Sequence, residues 1–152
     1  MNKYKNKNYK SALQYFNTVP QTVAATTTAI APYIVDLGGT VTDTGCAFDF
    51  KGRSFDVDYS GLYHFGNTIS LAGTATGILA VAITLDGIPL PETNKLVTVG
   101  AGVVTDIYID TRRALKTCCG ISNHTIGLAI YSTDATGAAT ITNISGNALK
   151  LA

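Results

Sequence analysis

The sequence predicts an antiparallel β-sandwich, on three observations. β-Branched and aromatic residues dominate segment after segment from residue 22 onward. Within those segments large apolar residues alternate with polar or small ones, the period of half-buried strands. Gly, Asn and Ser turns separate the segments at the spacing of all-β sandwiches, and almost nothing after residue 20 reads as helix. A chain of 152 residues allows one domain with a real core.

The chain divides into an N-terminal arm, residues 1–20, and a sandwich domain, residues 21–152. The arm interleaves lysines with Asn, adds aromatic residues, sustains neither structural period and is closed by Pro20. It is expected to be held against another subunit or another protein through Lys3, Tyr4, Lys5, Tyr9, Lys10, Tyr15 and Phe16. The stretch TVAATTTAIAPYIVDL then reads as strand, with Pro32 at an edge or bend. Gly38 and Gly39 turn the chain, both expected at positive φ.

Alternation resumes with Phe48 and Phe50, continues through Phe55, Val57 and Tyr59, and returns with Tyr63, Phe65, Ile69 and Leu71. In ILAVAITLDG, Leu79, Val81, Ile83 and Leu85 are large while Ala80, Ala82 and Thr84 are small. That strand is expected to be buried on both faces and to end in a tight turn at Asp86-Gly87. Residues 103–109, 125–131, 140–144 and 148–151 supply four more short strands.

Charged residues are only 14% of the chain and the formal net charge is +1, so neither disorder nor attraction to nucleic acid is expected. The basic N-terminus has no apolar run behind it, and no segment reaches membrane-spanning length, so neither export nor a membrane role is expected. Cys46, Cys118 and Cys119 form neither a disulfide framework nor a metal-ligand pattern, and they read as buried or half-buried thiols made in a reducing compartment. No metal or other cofactor is expected.

One stretch looks like catalytic equipment. YIVDLGGTVTDTG, residues 33–45, resembles the phosphate-binding hairpin of the actin-like sugar kinases and of the hydantoinases. Such a hairpin needs a following helix or second domain to complete a nucleotide pocket, and GCAFDF, a strand, follows instead. A connection between strands is the better reading. His64 and His124 lack a Ser elbow, a carboxylate pair or a Cys-His pattern, and read as structural or surface histidines.

The stretch FDVDYSGLYHF, residues 55–65, has the form Phe, five residues, Gly-Leu-Tyr-x-Phe. It resembles the signature strand of the tumour-necrosis-factor-like jelly rolls, in particular the complement globular head. VAITLDGIPLP resembles that family's next core strand and turn, and TITNISGNALKLA its closing strand, so the likeness runs over residues 55–152. The resemblance implies a jelly roll with an extended N-terminal arm, forming a trimer with aromatic residues packed along the three-fold axis. Versions of the domain recur in phage virion proteins and bacterial spore-coat filaments. The collagen-like stalk that usually precedes the complement head is missing, and the basic-aromatic arm stands in its place.

Tyr59, Tyr63, Phe65, Tyr108 and Tyr131 are read as core or trimer seam, with a sugar-stacking role open for Tyr108 and Tyr131. Arg112 and Arg113 read as a solvated loop, or as an anion or subunit contact. The expected function is non-enzymatic: a trimeric head fibre or capsid decoration protein of a phage virion, assembled in the host cytoplasm. The arm would anchor it to the capsid or a neighbouring virion protein. The alternative is a receptor- or glycan-binding tip of a tail fibre or bacterial surface filament.

Overall fold

The computed structural model describes residues 10–117 and 123–152. Its strands are β1 (Ala12–Asn17), β2 (Gln21–Val23), β3 (Tyr33–Ile34), β4 (Gly39–Thr44), β5 (Phe48–Phe50), β6 (Phe55–Val57) and β7 (Gly61–Ala75). There follow β8 (Gly77–Leu85), β9 (Ile88–Pro89), β10 (Lys95–Val99), β11 (Val104–Leu115), β12 (His124–Ser132) and β13 (Ala138–Lys150). A single 3-10 turn, Pro91–Thr93, lies between β9 and β10, and no α-helix occurs among the described residues.

The strands form two antiparallel sheets. One, six-stranded, runs β11-β7-β13-β1-β4 with β2 beside β13; the other, seven-stranded, runs β10-β8-β12-β6-β5 with β3 and β9 at its margins. Period-two alternation sends one set of side chains from each sheet inward, where they interdigitate. Phe55 is the hub: its ring centroid lies 5.8 Å from those of Tyr15 and Phe48 and 5.9 Å from that of Phe65. Tyr63 stacks on Phe65 at 5.9 Å. Offset and edge-to-face ring pairs add roughly 0.5–1.5 kcal/mol each beyond simple burial.

Four expectations hold in detail. Leu79 through Thr84 are buried without exception, so β8 is covered on both faces. Asp86 and Gly87 both take positive φ, as a two-residue hairpin turn requires. Phe48, Phe55, Val57, Tyr63, Phe65, Ile69 and Leu71 all enter the core. The 33–45 stretch is β3, a turn and β4, and the Asp36 carboxylate accepts the Gly38 N–H at 3.0 Å to close that turn.

Other expectations need correction. The arm does not extend to residue 20, because Ala12–Asn17 is a strand hydrogen-bonded between β13 and β4. Its alternation, with Leu13 and Tyr15 inward, spans too few residues to stand out against the basic segment before it. The strand expected from residue 22 stops at Val23 and resumes only at Tyr33, around the Pro32 connection. Gly38 has positive φ but Gly39 does not. Residues 140–144 and 148–151 are not two strands: Gly146 lies mid-strand in β13, where a Cβ would sit 2.2 Å from the Tyr15 ring. The glycine makes room for a ring rather than a turn.

Candidate functional site

The outward face of the six-stranded sheet carries one group of exposed apolar side chains; Val19, Ile30, Ile34, Ile78, Ile88 and Leu96 are exposed elsewhere. Strand register arranges this face in rows. Phe16, Ser145, Thr68 and Tyr108 stand side by side across β1, β13, β7 and β11, with Phe16 45% and Tyr108 52% exposed. Gln14, Asn147, Gly66 and Asp110 form the next row, and Ala12, Leu149, His64 and Arg112 the one after. Val41 on β4, Leu62 on β7 and Leu149 on β13 add exposed apolar surface.

Glycine and hydrogen bonds shape this surface. Tyr108 leans across the sheet towards β7, its hydroxyl 2.9 Å from where a Cβ on Gly66 would stand. Asp110 Oδ2 lies 3.1 Å from His64 Nε2, and the Ser70 hydroxyl donates to Asp106 at 2.6 Å. Asn143 and Asn147 each hold a side-chain oxygen out of solvent without a hydrogen-bond partner. Beneath the face, the Tyr15 hydroxyl donates to Asn67 Oδ1, and burial outweighs this bond in pushing the Tyr15 pKa well above its ordinary value.

Three hollows border the face. The largest, about 440 Å³, lies where β1 begins, lined by Lys10, Ala12, Thr44, Leu149 and Leu151. A second, about 190 Å³, lies between Phe16, Val41 and Asn147. A third, about 250 Å³, is walled by Tyr108 and Asp110 on one side and by Asn94 and Lys95 on the other.

The sequence-derived site residues separate into distinct places. Tyr63 and Phe65 are core, whereas Tyr108 is on the open face and Tyr131 is half-buried on the outer face of the other sheet, opposite Ala80. Tyr59 lies outside the strands, 38% exposed, and its carbonyl accepts the Tyr63 hydroxyl at 2.6 Å. Tyr15 is no anchor: it is buried at the centre of the sheet, while Phe16 projects from the opposite side of β1. Lys10 is exposed at the rim of the largest hollow. Lys3, Tyr4, Lys5 and Tyr9 lie outside the described residues, as do Cys118 and Cys119. Arg112 and Arg113 belong to strand β11 and not to a loop, and Arg113 pairs with Glu92.

Cys46 is exposed rather than buried or half-buried as expected, and two histidines also carry reactive nitrogens among the described residues. His124 Nδ1 meets Asp86 at 2.8 Å and its Nε2 meets the Lys116 carbonyl at 2.8 Å, so both ring nitrogens are engaged. The Asp86 hydrogen bond raises the His124 pKa, against burial. Among the described residues no group of three His, Cys, Asp or Glu side chains is placed to hold a metal. No helix there is long and apolar enough to cross a membrane.

Comparison with solved structures matches this architecture across almost the entire chain. The globular domain of zebrafish complement 1qA protein is 13% identical, with a TM-score of 0.56, over 95% of this chain and 98% of that one. Murine APRIL at pH 5.0 is 15% identical, with a TM-score of 0.62, over 94% of this chain and 100% of that one. The fold is the tumour-necrosis-factor-like jelly roll. PRD1 vertex protein P5, a phage virion protein, shares this jelly roll at 16% identity and a TM-score of 0.60, over 93% of this chain and 73% of that one. No protein-family model matches the sequence, and no curated protein matches it. Leu62, Val41 and Leu149 went unremarked as face residues in the sequence, although the parity of GLYHF already sets Leu62 opposite Tyr63.

Proposed function

We propose that the protein is a non-enzymatic structural component of a phage virion, a head fibre or capsid decoration protein that associates as a homotrimer. The observation that carries this is the uncovered face of the six-stranded sheet, with Phe16, Val41 and Tyr108 exposed on a protein of low charge. Apolar side chains gathered on one face are what an association surface provides. The buried, unpartnered oxygens of Asn143 and Asn147 on the same sheet favour a covering surface that brings donors. The jelly-roll likeness to PRD1 vertex protein P5 supports the virion reading, and the complement-head resemblance of the sequence supports three-fold association.

Tyr108 and Phe16 are assigned to the seam between copies, with Tyr63 and Phe65 supporting it from the core. Tyr131, on the other sheet, is left out of this seam, and Tyr59, exposed outside the strands, is given no role in it. Attachment to the capsid or a neighbouring virion protein falls to the segment carrying Lys3, Tyr4, Lys5, Tyr9 and Lys10, now shorter by the length of β1. A non-enzymatic role is supported by the absence, among the described residues, of any three-residue His, Cys, Asp or Glu cluster placed to hold a metal. Light scattering tests the assembly: trimer for the wild-type chain and monomer for Tyr108→Asp support it, and a wild-type monomer overturns it.

A second reading, a glycan-binding tip, is favoured by the 250 Å³ hollow that Tyr108 and Asp110 line together with Asn94 and Lys95. Retention on host polysaccharide, lost in Asn94→Ala with the mass in solution unchanged, would select it over the structural role.

A further inference from the structure

The 440 Å³ hollow at the start of β1 sets apolar Ala12, Leu149 and Leu151 beside polar Lys10, Ser11, Thr44 and Lys150. Leu149 is 38% and Leu151 41% exposed there, and Leu62, 37% exposed, is joined to Leu151 by a 2.7 Å backbone hydrogen bond. Three leucines thus stand uncovered at one end of one sheet, with Ala12 and Thr44 closing the floor. Lys10, the first described residue, lines the hollow, so residues 1–9 are covalently tethered beside it.

We propose that the hollow is the seat of the chain's own N-terminal segment, residues 1–9, occupied through the rings of Tyr4 and Tyr9. Chain length and exit point select this occupant. Nine residues span at most about 30 Å when extended, so the segment cannot leave the neighbourhood of Lys10, and tethering of this kind corresponds to millimolar effective concentrations. Its chemistry also fits, because a tyrosine buries its ring against apolar surface while its hydroxyl remains at the wet rim. The lysines of the segment remain in water. This goes beyond the anchoring role: it says where the segment rests before a partner takes it, and it gives an anchoring protein something to displace.

The test uses the full chain, with ¹³C-methyl leucine and NOE spectra between leucine methyls and tyrosine rings. Contacts from Leu149 and Leu151 to Tyr4 or Tyr9 are expected, with those methyl shifts altered in the Tyr4→Ser/Tyr9→Ser variant. Trypsin is expected to cut after the segment's lysines about tenfold faster in that variant than in wild type. Absence of the ring contacts, with identical leucine spectra in the two proteins, overturns the proposal. Contacts seen only between differently labelled copies in a mixed sample overturn seating within one chain and assign the hollow to a neighbour's segment. Light scattering on the same samples reports the seam separately, so a monomer with ring contacts retains this inference while removing the trimer.

Discussion

Strand β8 and the outward side of β7 and β11 treat apolar surface in opposite ways. In β8 every residue from Leu79 to Thr84 is buried, the small outward set as completely as the large inward one. Across β7 and β11 the outward set is largely half-buried or exposed, Gly66 being the buried exception, and Leu62 and Tyr108 project from that side. Apolar residues left exposed on the seven-stranded sheet are Ile78 at the start of β8, Ile34 on β3, Leu96 on edge strand β10 and Ile88 beyond the Asp86-Gly87 turn. The middle of β8 is covered within the chain; the outward side of β7 and β11 is the face proposed above for association.

The largest expected effect sharpens the contrast from the core side. Phe55→Ala, at the ring hub shared by both sheets, is expected to cost about 3–5 kcal/mol in denaturant unfolding. Phe16→Ala on the open face is expected to cost under about 1 kcal/mol in the isolated chain, while weakening association. Equal costs for the two would erase the distinction between core and open face.

Gly146→Ala comes next. The added methyl enters the space of the Tyr15 ring, so a loss of about 1–3 kcal/mol is expected by thermal or chemical unfolding. Tyr15→Phe leaves the buried Asn67 oxygen without its donor and is expected to cost about 1–3 kcal/mol, measured the same way.

The smallest effect is a pH dependence far from either face. The His124 pKa is raised in the fold by its bond to Asp86, so its stabilisation is fully present below the ordinary histidine value of 6.5 and lost as pH rises through the raised value. Asp86 behaves inversely. Burial acts to raise its pKa, but the Thr125 N–H and His124 lower it overall, so its contribution is present above the ordinary carboxylate value and lost as pH falls through the lowered one. With both groups near the surface, a few tenths of a kcal/mol is expected, and His124→Gln should flatten the upper limb of the stability profile.

Much of the fold was legible because period-two alternation and turn chemistry are local. Residues 79–84 declared a doubly buried strand, and Asp86-Gly87 a hairpin, without knowledge of any neighbour. What escaped reading depended on partners distant in sequence. Gly146 looks like a turn until Tyr15, far away in the chain, is seen lying over it. Strand β1 looks like arm until β13 and β4 pair on either side of it. Tyr63 and Tyr108 are the same residue type on adjacent strands, yet one is core and the other surface, because sheet parity assigns them to opposite sides.

The most direct test of the open face is the solution mass of the wild-type chain beside Tyr108→Asp and Phe16→Asp, by light scattering with circular dichroism as a check on folding. Three times the chain mass for wild type, falling to the single-chain mass in both folded variants, is the expected result. A wild-type monomer, or a trimer indifferent to both substitutions, would contradict the assignment of this face to association.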